Sequence, residues 1–417
     1  MEEKPTPCYI QFDLLSKVPT DKAERPGIDV LLSCGEASGE LYAAELLREL
    51  RAMDPETRCF GLGGRRLEQA GAEILVDLGD ISVIGLVEVL SKLPALKKAQ
   101  TTLLAAASER KPDVAVLIDF SGFNLRLASR LKALGIPVVY YVSPQVWAWR
   151  RGRLKSIRDH VDRMLVILPF EESFYRDAGI TAKFVGHPLV DLVRSREDRE
   201  TFFRRLGLKE SSPLVALMPG SRPRELELHL PVIAGAIERM RARNPALQFV
   251  LLKAPTVEER AIEAGLGRTF ASVRVLSESG YDALSHAQAA IVASGTATVE
   301  AALSETPMVV VYRVGGLSYR LGKPLVRVPF YAMVNLIAER AVVPELIQDE
   351  MTEERVASET LRLLEDPNAA ESMRRDLREV KSRLGTGGAS RNAAREVMAV
   401  AREDRESSTA RHEVLTT

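Results

Sequence analysis

Short apolar runs recur along the chain with amphipathic stretches between them: "IDVLLSC", "PDVAVLIDF", "PVVYYVS" and "RMLVILP", then "PLVALMPG", "LQFVLLKAP", "SVRVL", "AAIVASG" and "PMVVVYRV". Runs this short, rich in Val, Ile and Leu and without polar alternation, fit strands covered on both faces, hence parallel sheets joined by crossover helices. Helical periodicity fills the gaps: Leu41, Ala44, Leu47 and Leu50 recur every three residues after Ser38 and Gly39. The series breaks at "GHPLVDLVRSREDRETFFRRLGLKESSP" (186–213), where a charged stretch separates two sets of strands. The pattern predicts an α/β protein with two doubly wound domains, 27–192 and 193–367, facing a cleft built from the carboxyl ends of both sheets. Residues 1–26 read as a loose tail and 368–417 as a helical C-terminal extension that cannot form a domain alone and packs either onto the other domains or onto another subunit, the latter giving a homodimer through these helices.

Length agrees with two domains, since 417 residues exceed what one core usually spans. The 57 basic side chains balance the 57 acidic ones, so no global field draws the protein to nucleic acid and any anion site is local. Three cysteines, Cys8, Cys34 and Cys59, form no C-x-x-C pair, which suits a reducing compartment better than a disulfide framework or zinc knuckle. The start lacks the pattern of a secretory signal, and no apolar run approaches the roughly 20 residues of a spanning helix, so membrane contact would be peripheral.

Several stretches can carry chemistry. "ASGTATVEAAL" follows a strand and opens a helix, so Ser294, Gly295, Thr296 and Ala297 would aim unpaired N–H groups and the positive helix end at an anion. Glu300, about one turn further, can accept hydrogen bonds from vicinal hydroxyls. Phosphate on the amides and a ribose diol on the carboxylate together describe a nucleoside diphosphate. The alternative is a capping box, although Thr296 and Glu300 stand four apart rather than three. "LMPGSRPRELE" places Ser221 and Arg222 at another strand-to-helix turn, where a cation is unfavourable for the helix dipole unless an anion binds there; an ion pair with Glu225 or Glu227 is the alternative. "VLLSCGEASGELY" is a strand, small-residue turn and helix with Glu36 and Ser38 at the turn; Glu36 is either a cap or a cleft residue. It lacks the dinucleotide and Walker glycine patterns. "VSPQVWAWRRGRLK" joins Trp147 and Arg150 to a basic run suited to a headgroup surface or a phosphorylated substrate, or simply to a solvated helix. "ISVIGLVEVLSKLPALKKAQ" (81–100) is either core or an exposed apolar segment for acyl chains.

Together "GEASGE", "GGRRLEQAGAEIL", "VIGLVEVL", "IDFSGFNLRLA", "YYVSPQVWAWR", "LPFEESFY", "FVGHPLVD", "LMPGSRPRELE", "ASGTATVEAAL" and "MVNLIAER" resemble, in order, the lipid-A-disaccharide synthases, bacterial glycosyltransferases. Two departures stand out: Glu40 where the family's first motif usually ends in Asp, and Gln145 where its tryptophan motif usually reads S-P-S. The resemblance implies a GT-B fold, with an acceptor domain first and a UDP-sugar domain second. It implies inverting transfer of 2,3-diacylglucosamine from its UDP derivative to 2,3-diacylglucosamine 1-phosphate, at the cytoplasmic face of the inner membrane. On it, Asp119 in "LIDF" is expected as general base, with Glu36 and His187 next in line, and Asn335 at the donor site. The alternative role for Asp119 is a helix cap. No D-x-D pair is present, so the reaction is expected to need neither metal nor cofactor. The main alternative is a UDP-sugar 2-epimerase or another GT-B enzyme; a non-catalytic lipid-surface protein is a third reading.

Overall fold

The computed structural model describes residues 25–416, apart from 82–85, 149–150, 256, 278–279, 317–318 and 320–327. The first sheet comprises β1 (Asp29–Cys34), β2 (Arg58–Gly63), β3 (Glu73–Asp77), β4 (Val114–Ile118), β5 (Val138–Tyr141), β6 (Arg163–Val166) and β7 (Ala182–Phe184), in the order β3-β2-β1-β4-β5-β6-β7. The second comprises β8 (Leu214–Met218), β9 (Gln248–Leu252), β10 (Val273–Leu276), β11 (Ala289–Ala293), β12 (Met308–Tyr312) and β13 (Glu345–Ile347), in the order β10-β9-β8-β11-β12-β13. Every pairing is parallel. The central strands β1, β4, β5 and β11 are buried throughout, which is why they read as unbroken apolar runs. In each sheet the strand order reverses once, between β1 and β4 and between β8 and β11. At such a reversal the connections leave to opposite sides and open a crevice at the carboxyl ends.

Of the two expected packing surfaces for the C-terminal helices, the structure shows the chain's own domains. The helix Pro367–Arg383 lies on the second domain, where Arg378 and Lys381 pair with Glu305 at 3.0 and 2.9 Å. The chain then crosses back. Asp191 accepts the Gly388 and Ala389 amides, and the helix Ala389–Thr416 packs on the first domain, pairing Arg391 with Glu49, and Glu396 with Arg163 and Lys183. Its own chain covers this helix, which removes the observation that suggested exchange between subunits. The expected loose tail lies outside the described residues up to 24; Arg25 is buried and pairs with Asp29 at 2.9 Å.

Near the helix's far end, Arg405 donates to the fully buried Asp113 carboxylate at 2.8 and 3.0 Å and to the Gly27 carbonyl at 2.6 Å. Asp113 in turn accepts the Asp29 amide at 2.7 Å, so one carboxylate ties the starts of β1 and β4 to the C-terminal helix. Removing one partner of a buried pair leaves an uncompensated charge. Arg405→Ala is expected to lower the unfolding free energy by about 3 kcal/mol in chemical denaturation, whereas Arg391→Ala, at an exposed pair, should change it by less than about 1 kcal/mol.

Candidate active site

The turns after β1 and β4 are neighbours at the first reversal. Gly35 is required there because a Cβ would meet the Phe120 side chain at 2.1 Å. Glu36 occupies the N-cap position of the helix Ala37–Met53, yet its carboxylate makes no capping bond. It reaches across the cleft to Arg222 instead, Oε1 to Nη2 at 3.6 Å. Asp119 follows β4 and does not cap the helix Ser121–Ala133, whose N-cap residue is Phe120. The Asp119 carboxyl is pushed up to about 6, first by burial and then by the like charge of Glu36, while the Phe120 amide and Arg222 pull it back down.

The second reversal supplies the other wall. Gly220 has φ 123°, and a Cβ would meet the Glu225 carboxylate at 2.6 Å. That carboxylate accepts the Ser221 and Arg222 amides at 3.1 and 3.3 Å and lies 3.5 Å from the Arg222 guanidinium. Arg222 is thus shared between Glu225 on its own helix and Glu36 on the other domain. The turn after β11 places Gly295 (φ 144°) at the N-cap of the helix Thr296–Leu303, with no side-chain cap bond, so the capping-box alternative is not formed. Burial pushes Glu300, on the same helix, up to about 7, and its charge is felt by Tyr42 of the first domain and Tyr281 of the second.

Four expected residues are placed differently. The Asn335 side chain is spent within its own loop: it accepts the Val342 and Val343 amides at 2.8 and 3.0 Å and donates to the Val343 carbonyl and Glu345 at 3.0 and 2.8 Å. Glu345 also accepts the Tyr331 and Ala332 amides, and the Ser294 hydroxyl donates to the Tyr331 carbonyl at 2.7 Å, so Ser294 and Asn335 brace the wall behind the helix start. Trp147 faces inward, its indole N–H on the buried Glu171 at 3.0 Å and its ring edge-on to Phe170. His187 is buried against Tyr42, its Nδ1 accepts the Leu189 amide at 3.2 Å, and burial alone pushes it down to about 3, which makes it a poor base at neutral pH. Ser38 sits half-buried in the first turn of its helix. Arg150 lies outside the described residues. In the apolar stretch 81–100, Leu93 is exposed, Leu96 is partly buried and the side chains of 82–92 lie outside the described ones.

Other residues escaped the sequence reading. His229 donates from Nδ1–H to the Pro219 carbonyl at 2.7 Å and accepts the Arg313 amide at Nε2 at 2.9 Å, joining the carboxyl ends of β8 and β12 behind Arg222. It is buried with Leu226, Leu230 and Ile233 on one helix, so no polar pattern in the sequence sets it apart. Glu40, one of the two departures in sequence, accepts the Arg66 amide at 2.7 Å and caps the next helix, a role the longer side chain can reach. Chemically, the cleft sets an acid of raised proton affinity opposite a guanidinium and an uncapped helix start: one wall can take a proton while the other holds a diphosphate.

Comparison with known proteins shows the family and the fold. Residues 30–399 match the family described as lipid-A-disaccharide synthetase. The chain is 46% identical to the lipid-A-disaccharide synthase of Myxococcus xanthus over 369 residues, 88% of this chain and 96% of that protein. It is 47% identical to that of Anaeromyxobacter dehalogenans over 375 residues, 89% and 97% respectively. Among solved structures, a UDP-GlcNAc 2-epimerase from Neisseria meningitidis superposes with a TM-score of 0.65 at 12% identity, covering 89% of this chain and 100% of that one. A calicheamicin glycosyltransferase does so with a TM-score of 0.54 at 17% identity, covering 90% and 98%. At these identities the likeness is one of fold, and the fold is GT-B.

Asp119, Glu171 and Glu300 are all held above the ordinary carboxyl range by burial. Each therefore contributes stability that is full below its unfolded value and is lost as pH rises through about 6 to 7. Glu300→Gln removes one of them. In urea denaturation, the stability difference between this variant and the wild type is expected to shift in the variant's favour as pH rises through about 7; a difference independent of pH would contradict the assignment.

Proposed function

The chain belongs to the lipid-A-disaccharide synthase family, and on that premise we propose how its cleft performs a hexosyl transfer. The donor is UDP-2,3-diacylglucosamine and the acceptor 2,3-diacylglucosamine 1-phosphate. The acceptor's 6-hydroxyl attacks the donor's anomeric carbon from the face opposite UDP. Asp119 takes the hydroxyl proton as the new C–O bond forms and the bond to the UDP oxygen breaks, which gives a β-1,6 disaccharide 1-phosphate and free UDP. Arg222 and the amides at the start of Thr296–Leu303 take up the charge that develops on the leaving diphosphate, and Glu300 accepts the ribose hydroxyls. The observation that carries this reading is the meeting of Asp119 and Glu36 with Arg222 across the cleft, each at the reversal of its own sheet. An acid near 6 is ionised at neutral pH yet retains useful basicity.

The reaction is proposed to need no metal or cofactor, the guanidinium and helix start taking the place a divalent ion would fill. The enzyme is proposed to work peripherally at the cytoplasmic face of the inner membrane, because both substrates carry two acyl chains. No helix among the described residues is long and apolar enough to cross a bilayer. Leu93 is exposed beside Lys97 and Lys98 on the helix Leu86–Arg110, a pairing of apolar and basic groups suited to an anionic lipid surface.

A mass-spectrometric assay with both diacylated substrates is expected to yield disaccharide 1-phosphate and UDP, whereas UDP-N-acetylglucosamine alone should yield no epimer. Formation of an epimer would favour the isomerase alternative. Asp119→Asn should lower turnover by at least about 100-fold with the fold intact, and the wild-type rate should fall as pH drops through about 6. Arg222→Ala should weaken donor use by about tenfold or more. Abolition of transfer by a chelator, restored by magnesium or manganese, would overturn the metal-free reading.

A further inference from the structure

Asp119 and Phe120 both adopt left-handed backbone angles, with φ of 48° and 45°. Outside glycine this region costs roughly 1–2 kcal/mol per residue, and it persists only where surroundings over-determine it. Here the surroundings are two buried side chains that converge on one carbonyl. The Tyr140 hydroxyl donates to the Asp119 carbonyl at 2.5 Å, and the Asn124 amide donates to the same oxygen at 3.0 Å. Asn124 also donates to the Ile118 and Ser33 carbonyls at 3.1 and 3.3 Å, while the Ser33 hydroxyl donates to its amide oxygen at 2.7 Å. The Asp119 amide donates to the Tyr141 carbonyl at 3.3 Å. Ser33, Asn124 and Tyr140 are fully buried. Two buried donors therefore reach the Asp119 carbonyl, and the two N–H groups of Asn124 are shared among that carbonyl and those of Ser33 and Ile118, at the ends of β1 and β4.

We propose that Tyr140 and Asn124 are positioning residues for the base: by gripping the Asp119 carbonyl they hold the strained turn that aims its carboxylate across the cleft. This rests on the reading of Asp119 as the proton acceptor. Packing alone does not require the arrangement, since a buried tyrosine hydroxyl can take any backbone acceptor, yet this one takes the carbonyl of the strained residue. The same grip fixes how deeply the carboxylate sits. The charged and titratable groups around Asp119 are Glu36 at the turn after β1, Tyr42 on the following helix, Tyr140 on β5, and Arg222 from the second domain. Arg153, bonded to the Ser121 hydroxyl at 2.6 Å, acts on Tyr140.

The test is Tyr140→Phe, which keeps the ring in its core site and removes one of the two bonds to the carbonyl. Its kcat is expected to fall about tenfold while the donor KM and calorimetric affinity for UDP stay within twofold. Its acid limb should also move to lower pH, because a freer carboxylate gains water. Adding Phe120→Asn, which places a residue tolerant of left-handed angles in the turn, should recover part of the lost kcat; a core defect would not be rescued this way. Wild-type kcat and acid limb in Tyr140→Phe, with Asp119→Asn inactive, would overturn the positioning role and leave the base standing. A lower kcat with an unmoved limb and no rescue would also overturn it, in favour of a structural role. Turnover retained by Asp119→Asn would overturn the base assignment and this proposal together.

Discussion

A guanidinium on one domain meets a pair of carboxylates on the other, and the rest of the molecule is arranged to make that meeting possible. Arg222 stands within 3.6 Å of Glu36 and lowers the proton affinity that burial and Glu36 raise on Asp119. The exposed pair itself contributes little to stability, since exposed pairs typically provide about 0–1 kcal/mol. Its meaning is geometric. Each residue follows a strand that borders its sheet's reversal, so two sheets that share no strands bring their crevices face to face.

The charges in the cleft form a small cycle. Arg222 is divided between Glu225 and Glu36. On the proposed function, a diphosphate would compete for the same guanidinium, and Asp119 would then lose the nearby cation that lowers its proton affinity, while Glu36 would still raise it. Binding at the second domain would thus strengthen the carboxylate on the first as a base. The spacing between domains is set away from the chemistry, where Asp282 accepts the Ser195 hydroxyl and the Arg196 and Glu197 amides of the connecting segment, and the C-terminal helix returns to the first domain.

The two-domain fold was legible because its central strands are buried on both faces and so read as apolar runs. The strands that did not stand out had physical reasons to be hidden. β2 reads "RCFGLG" with two glycines, one of which, Gly61, lies under the Leu32 carbonyl where a Cβ would come within 1.9 Å, while β3, β7 and β13 are half-exposed or short strands toward the sheet edges. For the site, the turns were legible and the directions were not. Glu36 and Arg222, both at turns that open helices, meet across the two domains. Asn335, Trp147 and His187 turn inward to serve loops and packing, since sequence supplies residue type but not the rotation of a side chain. Tyr140 and His229 were invisible because each acts on a residue brought close only by the fold.

In the proposed reaction the second domain grips a diphosphate opposite an acid lent by the first. The most direct measurement is a crystal structure of the protein with UDP. The diphosphate is expected between the Arg222 guanidinium and the amides of Thr296 and Ala297, with the ribose hydroxyls on Glu300 and the Asp119 carboxylate open to the cleft. A nucleotide bound away from Arg222 and Glu300, or an Asp119 carboxylate turned into the interior, would contradict it.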